Sequence, residues 1–210
     1  MKFEDIASKE KIYLYAGDMD QSRRKIHPFI GLSLSRCDKY HITHDITNSI
    51  QLPSGCVDIF QAEDVIEHIE YKKLTNVLNE VFRVLKPEGL FRLSTPDYRC
   101  DFLQNRSLKN EEGNIFFDPG GGGKYDFKLK KVVCGGHLWF PKHELVLKLL
   151  NNSRFTHFEF LHYYDCNNTP ICQSIDYSFG YISRTPDNDN RVKLKPLSIV
   201  VDCYKSISLL

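Results

Sequence analysis

The chain lacks an excess of charge of either sign. Its 210 residues carry 28 lysines and arginines against 27 aspartates and glutamates, a formal net charge of +1. Without a basic field there is no electrostatic footprint for nucleic acid or for an anionic membrane surface. Apolar runs near the ~18 residues that a membrane-spanning helix needs are missing as well, and so is a basic-then-apolar amino terminus of the secretory kind. The cysteines, Cys37, Cys56, Cys100, Cys134, Cys166, Cys172 and Cys203, never fall in a CxxC pair. An odd, scattered set reads as reduced thiols in an intracellular, cytoplasmic setting, not as a disulfide framework or a zinc site. There is no internal repeat. What remains is ordinary for a globular protein, 41% hydrophobic and 26% charged, and the length suits one domain over residues 1–210.

The most informative stretch runs from Val57 to Asp97. A short apolar run (Val57, Ile59, Phe60, Ala62) ends in the acids Glu63, Asp64 and Glu67, followed by His68. Leu74, Val77, Leu78, Val81, Phe82 and Leu85 then recur at three- and four-residue spacing, the apolar stripe of a helix lying on a core. Lys86-Pro87-Glu88-Gly89 stops that helix, and a second apolar strand, Leu90 to Leu93, ends in Ser94-Thr95-Pro96-Asp97. Strand, helix and strand at this spacing predict a right-handed βαβ unit with parallel strands. Polar residues at the carboxyl ends of such strands lie where ligands bind in open α/β sheets.

This ordered run, DxxxAxxVxEHI followed by EVFRVLKPEGLFRLSTPD, resembles class I S-adenosylmethionine-dependent methyltransferases, whose text is close to "vlEHl…E..RVLKPGG.l.i..PD". The resemblance implies an α/β, Rossmann-like fold: a mostly parallel seven-stranded sheet with helices on both faces and one antiparallel strand near the edge. It implies S-adenosylmethionine as cofactor. The first strand, Lys11 to Tyr15, runs into a turn that the family writes LxxGCG; here Tyr15, Ala16 and Gly17 stand there, and a tyrosine takes space that glycine leaves to the ligand. At the end of the second strand, Phe29 to Leu34, the family's ribose-binding acid is Ser33, which cannot take a bidentate pair of hydrogen bonds. His44-Asp45-Ile46-Thr47 resembles the family's HDLT, whose acid meets the adenine amino group and whose next backbone amide meets a ring nitrogen. The implied cofactor residues are thus Tyr15, Gly17, Ser33, Asp45, Ile46, Ala62 and Glu63. No metal is expected; the competing ligand sets are His41, His44 and Asp45, or Asp64 with Asp97.

Met1 to Glu10 reads as a loosely packed lead-in, and Asp20 to Lys25 as too short for a full helix. Residues 105–131 read as a flexible or lid-like insertion containing Gly120 to Gly123; no GK[ST] follows, so no phosphate loop is predicted. Gly135-Gly136-His137-Leu138-Trp139 resembles a family loop on the acceptor side and precedes a helix, Pro141 to Asn151. A sixth strand is expected over Phe155 to Tyr164. The ending Pro196-Leu197-Ser198 to Asp202-Cys-Tyr-Lys205 resembles a methyltransferase subgroup of polysaccharide assembly, with the aromatic residues of the carboxyl half available to stack on sugars. The implied reaction is O-methylation of a small acceptor, first a sugar hydroxyl of a glycan, with His137, Asp64 and His68 nearest the proton to be removed. The bland reading of His137 is an orienting loop histidine, and of Glu67 and His68 a helix-start hydrogen-bond pair. The alternative function is a non-catalytic binding module on a degenerate methyltransferase fold. No oligomeric state is legible.

Overall fold

The structure, a computed structural model, describes residues 1–19, 27–189, 191 and 195–206. The stretch Asp20 to Lys25, and part of the ending after Asp189, lie outside the described residues. In chain order the strands and helices are β1 (Tyr13–Ala16), β2 (Ile30–Ser33), β3 (His41–Thr43), β4 (Val57–Glu63), α1 (Tyr71–Val84), β5 (Leu85–Pro96), α2 (Asp101–Arg106), β6 (Leu108–Lys109), β7 (Ile115–Phe117), β8 (Lys124–Asp126), β9 (Lys131–Val133), α3 (His143–Asn151), β10 (His157–Tyr164), β11 (Pro170–Cys172) and β12 (Ser198–Tyr204).

The main sheet has eight strands in the order β11-β10-β12-β5-β4-β1-β2-β3. From β3 to β5 every pair is parallel, and β12 lies antiparallel between β5 and β10. The expected seven strands become eight because β10 folds back into β11 through Asp165, whose side chain accepts from the amides of Asn167 and Thr169 at 2.8 Å each. A three-residue edge strand is too short to show a period in sequence.

Helix α1 forms where the stripe predicts, burying Leu74, Val77, Leu78, Val81 and Val84. Its last turn also clamps the loop before β4. Arg83 pairs with Glu80 at 2.7 Å and donates to the carbonyls of Ile50 and Leu52, while Glu80 accepts from the Ile50 amide at 2.6 Å. After α1 the chain turns through Lys86–Gly89, shifting the register from Val57 opposite Leu85 to Ile59 opposite Leu90.

The two faces of the sheet differ. On one, Phe60, Ala62, Phe91, Leu93, Ile199 and Val201 pack with both longer helices, α1 and α3. The expectation of helices on both faces is corrected on the other. There Gln61, Glu63, Arg92 and Asp202 emerge, and an extended strap around Ile175–Thr185 covers them. Gln61 Nε2 donates to the Tyr181 carbonyl at 2.6 Å, and Arg92 donates to the carbonyls of Asp176 and Gly180 at 2.8 and 3.1 Å. Arg92 also grips Asp202 with two bonds, 2.8 and 2.7 Å. The strap makes a 3-10 turn at Tyr177–Phe179 and still presents the carbonyls of Asp176, Gly180 and Tyr181 to these donors. Gly180 sits so close that a Cβ would lie 2.2 Å from Gln61 Oε1.

One other expectation changes. Met1 to Glu10 is not loose: Phe3 and Ile6 are buried in the main core. Residues 105–131 are built into two small hairpins, β6–β7 and β8–β9. All seven cysteines are free, and no described helix is long and apolar enough to cross a membrane.

Candidate active site

A cleft of about 540 Å³ opens at the carboxyl ends of β1, β2 and β4. Gly17 forms one wall, Leu34 and the His44–Thr47 loop a second, and the turn from Asp64 to Ile69 with Gly135 and Leu138 the third. Of the residues expected from sequence, Gly17, Asp45, Ile46, Asp64 and His68 line it together.

The other five lie elsewhere. Strand alternation turns the Tyr15 ring to the strap side, where it packs with Met19, Phe29, Ile59 and Leu90, so it takes no space from the cleft. Ser33 is buried, its oxygen accepting from the amides of Ser35 and Arg36 at 3.1 and 2.9 Å and holding the turn after β2. Ala62 belongs to the core under α1, and Glu63 Oε1 accepts from the Ser183 amide at 2.9 Å across the strap. His137 is buried behind His68, not at the cleft surface. The ligand set His41, His44 and Asp45 is not assembled either: His41 is held between Asp38 and the Met19 amide, whereas His44 and Asp45 face the cleft.

Two distant segments are zipped together at the cleft floor. The turn Ile66–His68 follows β4; the loop Gly136–Trp139 precedes α3. The Leu138 amide donates to the Glu67 carbonyl at 2.8 Å, Trp139 Nε1 to the Ile66 carbonyl at 2.9 Å, and His68 Nδ1 to the Gly136 carbonyl at 3.0 Å. This brings His137 Nε2 to 3.7 Å from Glu67 Oε1 and stacks His68 edge-on to His137, centroids 4.8 Å apart.

Behind them runs a buried polar chain that sequence reasoning missed. Thr95 donates to Glu67 Oε2 at 3.0 Å. On the far side His137 Nδ1 meets the Tyr98 hydroxyl, which donates to Asp118 at 2.6 Å, and Arg106 closes the chain on Asp118 at 2.6 Å. The glycine tract serves this packing: a Cβ on Gly121 would come within 2.7 Å of the His137 ring, and one on Gly123 within 2.0 Å of the Gly135 carbonyl oxygen. Only the glycine pairs in both stretches hinted at such backbone-on-backbone contact.

Burial dominates the electrostatics. It pushes Glu67 up to about 8, with Asp64 adding to the shift. It pulls His137 down to about 4, reinforced by His68. Burial and the Asp118 carboxylate push the Tyr98 phenol upward. Burial alone would raise Asp118, but bonds from Arg106, Tyr98 and the Gly120 amide hold it below the usual carboxylate range. Burial thus favours the uncharged forms of the Glu67 carboxyl and of the two imidazoles. Near the rim, Arg184 pairs with Asp64 at 3.0 Å, and Asp64 adopts a φ of 54°.

With this geometry in place, the comparisons with known proteins fall into line. Residues 27–93 match the family described as a methyltransferase domain. Among solved structures, the chain is similar to an S-adenosylmethionine-dependent methyltransferase from Clostridium acetobutylicum, at 13% identity over 95% of this chain and 85% of that one, TM-score 0.52. It is similar to one from Methanosarcina mazei, at 13% identity over 96% and 95%, TM-score 0.51, and to one from Archaeoglobus fulgidus, at 14% over 95% and 87%, TM-score 0.51. No curated protein matches the chain. The fold is thus the α/β Rossmann-like fold of these methyltransferases, with a mostly parallel central sheet.

Proposed function

We propose that the chain transfers a methyl group from S-adenosylmethionine to a hydroxyl of a small acceptor, with a glycan sugar as the acceptor class. The observation that carries this reading is the cleft itself, which gathers Gly17, Asp45, Ile46, Asp64 and His68 at the carboxyl ends of three parallel strands.

The cleft's residues fit the cofactor. Gly17, at a φ of 105°, presents bare backbone on the wall that Tyr15 leaves open. Leu34 and Ile46 offer apolar faces to a purine, and Asp45 stands beside Ile46 for its amino group. His44 Nε2 is buried at the cleft without a hydrogen-bond partner, as a wall meant to meet a polar ligand would leave it. When bound, S-adenosylmethionine supplies a methyl group on a sulfonium. The protein's own part is to align the acceptor and take its proton, and of the histidines expected to be catalytic His68 is the one that lines the cleft.

The sugar class rests on the ending Pro196-Leu197-Ser198 to Lys205 and on the polar rim at Glu70 and Lys73. The aromatic residues add nothing to it: Trp139 packs on Tyr71, Phe140 on Tyr98, and Tyr163 stacks on His143. Ser33, tied into its own turn, favours the second reading, a binding module that has lost the cofactor.

Calorimetry with S-adenosylmethionine separates the two. The expected result is a binding heat and a raised melting temperature, with Asp45→Ala weakening binding by about 1–3 kcal/mol. No binding at millimolar cofactor would leave only the binding module.

A further inference from the structure

We propose that Glu67, His68 and His137 form a site for a divalent first-row transition metal, zinc being the type ion, at the floor of the cleft. Each of the three offers one ligand atom, and these atoms lie within 4.8 Å of one another. The two nearest, Glu67 Oε1 and His137 Nε2, are 3.7 Å apart. Ligands around a tetrahedral zinc at about 2.0–2.1 Å sit roughly 3.4 Å from each other, so this pair needs little movement. The remaining closure falls on His68, the exposed member of the three.

The surrounding bonds already orient all three side chains for a cation. Tyr98 gives its one proton to Asp118, so its oxygen accepts from Nδ1–H of His137 and leaves Nε2 with its lone pair facing Glu67. His68 donates Nδ1–H to the Gly136 carbonyl, which frees its Nε2 in the same way. Thr95 holds Glu67 Oε2, while Oε1, fully buried, has no hydrogen-bond partner. Ligating histidines characteristically donate their other ring N–H to just such acceptors. A buried carboxylate oxygen without a partner is the costliest atom in the site to leave as it is, and a cation removes that cost.

Two imidazoles and one carboxylate also leave a coordination position open, as catalytic zinc sites do. Because His68 borders the cleft, that position faces the acceptor, where a metal would polarise a bound hydroxyl. This use rests on the methyl-transfer reading; the site itself does not.

The test uses cobalt(II) on the full chain after exhaustive dialysis against chelator. The expected result is one equivalent bound, with a visible absorption band that zinc displaces. His68→Ala and Glu67→Gln each lower cobalt affinity by at least ~10-fold, and Tyr98→Phe, which removes the hydroxyl that bonds both His137 and Asp118, lowers it by about 10-fold. Should Glu67→Gln fail to fold, His68→Ala carries the same measurement from a solvent-facing position. Absence of the band, or unchanged affinity in His68→Ala, overturns the site. Cofactor calorimetry is read separately, so metal binding without cofactor binding removes the methyl-transfer reading alone.

Discussion

Glu67 Oε1 lies 3.7 Å from His137 Nε2, both side chains buried, although one residue follows the fourth strand and the other precedes the last long helix. Neither atom is positioned by its own segment alone. The backbone bond from Leu138 to Glu67 sets their separation, and Tyr98 and Thr95 set their orientation.

His137 is therefore expected to matter for turnover without touching the cofactor. His137→Ala lowers kcat at least ~100-fold while cofactor affinity stays within about twofold. Steady-state kinetics with calorimetry on the same preparation measures both. An unchanged kcat would make His137 a structural residue of the cleft floor alone.

Tyr15 occupies a glycine position of the family pattern, yet its ring packs away from the cleft among Met19, Phe29, Ile59 and Leu90. Tyr15→Ala is expected to lower unfolding stability by about 3 kcal/mol, the cost of emptying a large buried site. Cofactor affinity should not improve. A tighter-binding variant in calorimetry would show that the ring does obstruct the ligand.

Arg92 and Asp202 form an almost fully buried pair. Removing one partner strands a charge, so Arg92→Leu is expected to cost about 3–5 kcal/mol in urea unfolding. Replacing both, with Arg92→Leu and Asp202→Leu, should restore much of that loss. If the single substitution proves as mild as the double, the pair does not hold the strap.

Acid stability should report the Glu80–Arg83 clamp. Bonds from Arg83 hold Glu80 down at about 2, below its ordinary 4.5. A depressed carboxyl stabilises the fold above its unfolded value, and this contribution is lost as pH falls from about 4.5 toward 2. Glu80→Gln is expected to lower stability at neutral pH and to flatten that acid limb in urea titrations. A limb of unchanged slope would mean that other carboxyls govern it.

The βαβ unit from Val57 to Asp97 was legible in sequence because its signals are local. A 3.6-residue stripe, a proline–glycine stop and two apolar runs each act within a few residues. The turn residues Gly17, Asp45 and Ile46 were legible through the resemblance to the methyltransferase motifs, and strand ends deliver them to one rim of a parallel sheet. The eighth strand and the strap over the second face were not. β11 has three residues, and the strap is chosen by Gln61 and Arg92 reaching carbonyls far along the chain.

What the sequence determined by itself is the βαβ unit from Val57 to Asp97, the apolar stripe of α1 and the set of polar residues at the strand ends. What only the tertiary structure decided is the direction each of those residues faces. Tyr15, Ser33 and Glu63 stand at the expected positions, but pleat and turn geometry send their side chains to the strap or the backbone. Glu67 and His137 carry no mark of partnership in the text. They meet because the Leu138 amide, Trp139 Nε1 and His68 Nδ1 bond the turn after β4 to the loop before α3, and contacts between segments far apart in sequence leave no period to read.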